Sequence, residues 1–367
     1  MEFIIYDECF SALGIIDGFE SCRWSINFYS GGAFEIVLPA SKYYKRLIQK
    51  HRYILRSDVN EMGFITSIIE QVSGSTELIV VSGSMISALF DKRFVKIDSK
   101  DGISLSAALK ECGGYPFRYL NIDAADGDKY IIPKDNNLGN LGNAVRELLR
   151  NDKKAIRIQF NAKESVMLCT IAEAADRSAS QSINHHVIFS VESGELAEMQ
   201  YQYSEVDCYN HITGYANYPD IEEPIRVDAS KEHMRIWTEI QEGYSDGLSI
   251  STAAFETEAI YYYAYTEDGT KIAVINYELT QKKLIGLCRE QLIKYSENYS
   301  CIAVDFNYRS NWNAGDIVTL FDSARDVYID KQIEEVSEYF EASGKSIDII
   351  FGEPLRTLYD LAKEGKN

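Results

Sequence analysis

The chain has 367 residues and a mass of 41.6 kDa, room for two to four domains at about 100–200 residues each, so a single small module is excluded. Its 46% hydrophobic and 25% charged residues exclude a disordered chain, and no apolar run approaches the roughly 18 residues of a membrane span. With 37 Lys and Arg against 56 Asp and Glu, the formal charge of −19 has the wrong sign for gripping a phosphate backbone or an anionic membrane.

The start, MEFIIYDECF, lacks the basic n-region of a signal peptide. Seven cysteines (Cys9, Cys22, Cys112, Cys169, Cys208, Cys288, Cys301), odd in number and without a CxxC, read as free thiols of a protein made in a cytoplasm. Trp24 to Phe28 and then Phe34, Ile36 and Leu38 alternate apolar with polar residues around Gly31-Gly32, which predicts a hairpin. Pro39 stops the second strand, and Ser41 caps a short helix in SKYYKRLIQK. HRYILR, GFITSIIEQV, a Ser73-Gly74-Ser75 turn and ELIVVSG repeat the strand pattern. Residues 1–97 are therefore expected to form a small antiparallel β-barrel or rolled sheet.

Residues 98–180 change to a mixed pattern. ISLSAALKEC, closed by Gly113-Gly114, and Leu138 to Arg150 read as helices, the second with Leu141, Val145, Leu148 and Leu149 on one face. AIRIQF and SVMLCTIA follow as strands around an Asn161-Ala162-Lys163 turn, and the whole is expected to be an α/β bracing domain. Residues 181–218 and 300–354 return to strands and are assigned to a second barrel. Between them, 219–299 is read as an inserted α/β segment with a helix at SKEHMRIWTEIQ, a Tyr-rich hairpin turning at Asp268-Gly269, and a helix capped by Thr280; 355–367 is a charged tail. The expected class is α+β and β-rich, with two small barrel-like domains and α/β insertions. Ile69 to Ser73 with Glu77 to Gly83 is echoed by Ile333 to Ser337 with Ser346 to Gly352 after a longer turn, which suggests one hairpin used twice.

No catalytic, cofactor or metal site is predicted. Gly344-Lys345-Ser346 supplies only half of a phosphate loop and sits in a hairpin. His185 and His186, adjacent on a strand, face opposite ways. Asp123, Asp126 and Asp128 lack the alternate spacing of a calcium loop. Acidic pairs such as Glu222-Glu223 and Glu334-Glu335 leave open a glycan hydrolase, and Tyr261, Tyr262, Tyr263 and Tyr265 leave open a sugar-binding platform. On a strand Tyr261, Tyr263 and Tyr265 share a face, the candidate for a subunit interface.

GIIDGFESCRWSINFYSGGAFEIVLPA resembles the start of siphovirus tail hub proteins, the family that includes the N-terminal part of tail-associated lysins. Gly14, Ile16, Asp17, Phe19, Ser21, Trp24, Tyr29, Gly32, Phe34, Glu35, Leu38 and Pro39 carry the resemblance. Gly63-Phe64-Ile65 with Ile69-Glu70, the run from Gly83 to Arg93, Leu284 to Tyr295, Gly315-Asp316-Ile317-Val318, and Ile333-Glu334 through Gly352 continue it in order, with weaker likeness over 98–137 and 215–277. The resemblance implies a phage baseplate-hub-like fold and a homotrimer at the distal tip of a tail tube. Two similar domains per chain would there build a pseudo-sixfold ring. The implied partners are other copies of the chain, a distal tail protein, the tape-measure protein and DNA passing without specific binding. No cofactor, no enzymatic activity and no membrane insertion are expected. The implied location is the virion tail tip after synthesis in a bacterial cytoplasm. With the chain ending at Asn367, the expectation is a hub without an attached lytic domain.

Overall fold

The computed structural model describes residues 1–73, 76–99, 101–111, 119–122, 127–133, 139–150, 152–194, 196–203, 211–217, 225–229, 252–265, 267, 269, 271–292, 297–303 and 307–352. Met1–Gln200 with Tyr299–Gly352 form one compact unit, and the described strands and helix of a second lie within Tyr201–Asn298. The predicted helix at SKEHMRIWTEIQ, the Gly113-Gly114 stop, Asp123, Asp126 and the tail from Leu355 fall outside the described residues.

The first unit opens with β1 (Phe3–Tyr6), β2 (Ala12–Ile16), β3 (Ser21–Asn27) and β4 (Ala33–Pro39), then α1 (Lys42–Leu47), β5 (Tyr53–Arg56), β6 (Glu61–Ser73) and β7 (Thr76–Met85). Alternation does what the sequence predicts: Phe34, Ile36 and Leu38 are buried while Glu35 and Pro39 are exposed. Ser41 Oγ accepts from Tyr44 N at 3.0 Å and starts α1. The β3–β4 turn requires Gly32, whose φ is +114° and whose missing Cβ would lie 2.1 Å from the Ser25 carbonyl oxygen.

A 3-10 turn (Ile86–Lys92) leads into β8 (Ile103–Ser104), α2 (Leu105–Glu111), β9 (Leu120–Ile122), β10 (Ile131–Ile132), α3 (Leu141–Arg150), β11 (Lys154–Asn161) and β12 (Val166–Glu173). β11 and β12 form a hairpin with β9 parallel to β12. Leu105, Leu109, Leu141, Val145 and Leu149 are buried with Cys169 in one cluster, as the apolar stripe of α3 predicts. Short β13 (Ile188–Phe189) and β14 (Leu196–Tyr203) follow.

In the second unit, β15 (His211–Asn217) lies between antiparallel β16 (Ile225–Ala229) and parallel β17 (Thr252–Glu258), and β18 (Tyr261–Tyr265) pairs with β19 (Lys271–Ile275). α4 (Tyr277–Leu292) packs against β15 and β16. It begins before the predicted cap. Asn276 Oδ1 accepts from Leu279 N at 3.1 Å and does the capping, while Thr280, fully buried, uses its hydroxyl to accept from Ile260 N at 2.9 Å and donate to Asn276 O at 2.8 Å.

β20 (Glu297–Ala303), β21 (Ile317–Asp322), β22 (Val327–Glu341) and β23 (Gly344–Phe351) complete the first unit. Its main sheet runs β14-β20-β23-β22-β3-β4-β7-β6-β5-β1-β2, with β21 on β22 and β13 on β21. These pairings do not close the barrels expected from the sequence, because the free edge of β3 is taken by β22 and the sheet continues. The result is a β-rich α+β fold.

The sheet contains the same strand set twice. β6 and β7 pair as a hairpin with an extra residue, Thr66, between Ile65↔Gly83 and Ser67↔Ser82, and pairing then runs without interruption to Ser73↔Thr76. β22 and β23 place the extra residue Glu334 between Ile333↔Phe351 and Glu335↔Ile350 and run to Glu341↔Gly344. Aligned on these bulges, β5 matches β21, with Tyr53↔Phe64 beside Ile317↔Gln332. β4 likewise matches β20, with Phe34↔Gly83 beside Tyr299↔Phe351. Inward-facing residues agree: Phe34, Ile36 and Leu38 correspond to Tyr299, Cys301 and Ala303, and Ile79 and Val81 to Ile347 and Ile349, all buried. β3 and β14 hold the same place beside β4 and β20. The hairpin repeat seen in the sequence exists, but its register shifts by four residues on the first strand and one on the second. The apparent longer turn is strand on both arms. The second unit is inserted between β14 and β20, where the first copy has only the turn from Phe28 to Gly32.

Candidate functional site

The two strand sets meet where β3 pairs with β22, from Asn27↔Glu335 to Ser21↔Glu341. On one face Ser25 and Ser337 hydroxyls are 2.6 Å apart, and Arg23 lies over the Tyr339 ring at 5.8 Å. On the other face is a charge network. Arg309 donates to both Glu61 oxygens (2.5 and 3.1 Å) and to Glu338 Oε2 (2.7 Å). Arg56 donates to both Glu338 oxygens and, at 3.0 Å each, to both oxygens of Asp58, and Trp24 Nε1 donates to Glu61 Oε2 at 2.8 Å. Arg56 is 3% exposed and Glu338 1%.

Burial alone would raise the Glu338 pKa, but hydrogen bonds from Arg56 and the charge of Arg309 hold the carboxyl below its usual range. Burial would lower both arginines, and the carboxylates around them reverse this and raise them. Arg309 also lies 4.6 Å over the Tyr308 ring, whose hydroxyl is pushed well up by burial. The network joins β5 and β6 of one strand set to β22 and the Tyr308–Trp312 segment of the other. Sequence reasoning singled out none of Arg56, Glu61, Arg309 or Glu338. The available signal was the alternation in β22, which puts Glu338 on the inward face between Val336 and Phe340.

Beside the network is a cleft of about 280 Å³ lined by Asn27, Phe28, Glu61, Tyr308, Arg309 and Asp316 among others. Asp316 accepts from Arg177 Nε (2.8 Å), Asn313 N (2.9 Å) and Ala175 N (3.3 Å). Glu61 and Asp316 are thus both held in place by cations or backbone donors. Among the described residues no three His, Cys, Asp or Glu side chains group to hold a metal. Asp128 accepts from the Ser104 and Ser106 hydroxyls, His186 Nε2 lies 2.7 Å from Gln181 O, and Lys345 reaches Glu338 Oε1 at 3.4 Å.

The motif residues occupy packing and turn positions. The Gly14 Cβ position would be 2.6 Å from Tyr43 Oη. Asp17 accepts from Tyr44 Oη at 3.1 Å, and Phe19 meets Phe3 edge-on. Trp24 stacks between Phe3 and Phe34, and Gly63 and Gly83 leave room for the Phe34 ring. Leu38 and Ile333 are fully buried. Gly315 lies under Phe28, Glu334 is the bulge residue 3.8 Å from Arg150, and Gly352 N donates to Gln332 O at 2.9 Å. In the second unit Tyr261 and Tyr265 are 40% and 72% exposed on β18; the Tyr263 side chain is outside the described residues.

The profile of the Siphovirus ReqiPepy6 Gp37-like protein family matches residues 2–99 and 130–353. The fold is similar to the 43 kDa tail protein of prophage MuSo2 from Shewanella oneidensis, at 13% identity and a TM-score of 0.62 over 96% of this chain and 99% of that one. It is also similar to a tail protein from Neisseria meningitidis MC58 (9% identity, TM-score 0.61, 96% of each chain). A third similar structure is prophage tail protein gp18 from Listeria monocytogenes (11% identity, TM-score 0.57, 100% of this chain and 99% of that one). No curated protein matches significantly.

Proposed function

The chain belongs to the Siphovirus ReqiPepy6 Gp37-like protein family, and we propose that it is a phage tail structural protein, the trimeric hub at the distal end of the tail tube. The observation that carries this reading is the duplicated strand set. In β6-β7-β4-β3 followed by β22-β23-β20-β14 the strand order recurs in one direction, so the copies follow each other as successive steps along the sheet. A chain with two such steps lets a threefold assembly meet a sixfold tube. The partners are further copies of the chain, a distal tail protein above and the tape-measure terminus in the channel. The two barrel-like halves, 1–97 and 181–218 with 300–354, form the ring and 98–180 braces it; 219–299 is an inserted segment whose Tyr261, Tyr263 and Tyr265 positions are the candidate for a further contact between copies. The charge of −19 suits a conduit that DNA crosses without being held.

Light scattering after size exclusion is expected to give three times the 41.6 kDa chain mass at micromolar concentration, and immunogold labelling to mark the tail tip. A monomer together with unlabelled tips would overturn the reading. The hub role is non-enzymatic, so cell-wall zymograms should show no clearing.

A further inference from the structure

The joint between the two strand sets inside the chain, β3 on β22, has an unfilled counterpart on β6 among the described residues. β22 carries two strands on its edge away from β23: β21 along Val327–Gln332 and β3 along Glu335–Glu341. Its counterpart β6 carries β5 along Glu61–Phe64. Beyond the bulge, along Ser67–Ser73, no strand among the described residues pairs with the side away from β7. That stretch corresponds residue for residue to Glu335–Glu341. Exposure records the difference. Ser337, covered by β3, is 4% exposed, whereas its counterpart Ile69 is 49% exposed and Val72, on the same stretch, 71%. A long edge strand with exposed apolar side chains is one that another strand can extend.

The strand to fill it is also defined. β3 seats on β22, and the strand holding the place of β3 in the second set is β14, at the other end of the sheet. We propose that β14 of one copy pairs with Ser67–Ser73 of the next, repeating between chains the β3–β22 joint within each. The contact is heterologous, so three rotations close it with every set equivalent. Because β3 and β21 share one edge of β22, β5 leaves room for the incoming strand on β6. This inference rests on the trimeric reading and specifies its contact.

The test is Ile69→Lys with Gln71→Lys, two exposed positions whose lysines oppose edge pairing. Light scattering on wild type, this variant and Tyr328→Lys, a substitution at another exposed aromatic site, is read beside thermal unfolding. Expected are a trimeric wild type, a trimeric Tyr328→Lys, and a monomeric Ile69→Lys/Gln71→Lys with an unchanged monomer melt. A double variant that stays trimeric, or a Tyr328→Lys that also disperses, overturns this joint and leaves the hub reading standing. A wild type that is monomeric at every concentration, with tail tips that immunogold leaves unlabelled, overturns both.

Discussion

Glu338→Ala is expected to lower the unfolding free energy of the first unit by about 3–5 kcal/mol, because it strands Arg56 and Arg309 as buried cations without their shared carboxylate. In a thermal melt this is a fall of about 10 °C. Glu70 occupies the same place in the other hairpin and pairs with Lys45 at 3.0 Å, but both are exposed, so Glu70→Ala is expected to cost less than about 1 kcal/mol. The comparison holds residue type and strand position constant and changes burial and the cations it brings together. Equal losses at the two sites would show that the network does not stabilise the joint.

The same carboxylate makes the joint acid-sensitive. Its folded-state pKa lies below the ordinary 4.5, so its contribution is complete above about that pH and is lost as the pH falls below it through the folded value. Denaturant unfolding of wild type and Glu338→Gln should therefore give curves that converge as pH drops below 4.5. A gap that stays constant with pH would assign the loss to packing instead.

The sequence makes some of this legible and hides the rest for physical reasons. Strand alternation exposes the inward faces of β4, β7 and β23, since each buries a single face, and the Gly31-Gly32 turn and the Ser41 cap are local chemistry. The repeat is visible as a hairpin but misregistered, because its register is set by the bulges at Thr66 and Glu334, and a bulge residue carries no compositional mark. Thr280 looks like a helix cap because its hydroxyl does bond backbone, but to Asn276 and Ile260 from inside the helix. The charge network joins residues about 280 positions apart in the chain, and one sequence offers no local signal for such pairs. The barrel-like halves expected from the sequence do not close separately, because a strand that belongs to the next set, β22, pairs with the edge of β3 and continues the sheet.

Gly83→Val tests how the two strand sets differ inside a common register. Gly83 corresponds to Phe351, which is fully buried opposite Tyr299. In the first set the volume is supplied from the neighbouring strand by Phe34, whose ring lies 2.6 Å from where a Gly83 Cβ would be, and by the Phe64 carbonyl oxygen at 2.1 Å. A ring can shift, but a backbone oxygen in a paired strand moves only if the ladder at the bulge opens. Gly83→Val is thus expected to cost about 3 kcal/mol, and the milder Gly83→Ala somewhat less. Phe351→Ala, at the matching position, should cost about 3–5 kcal/mol for the opposite reason, a cavity. Shrinking the ring with Phe34→Leu in the Gly83→Ala background should recover only part of the loss, because the carbonyl contact remains. Full recovery would mean that ring volume alone fixes the glycine, and wild-type stability of Gly83→Ala would mean that the two sets tolerate the same side chain at this position.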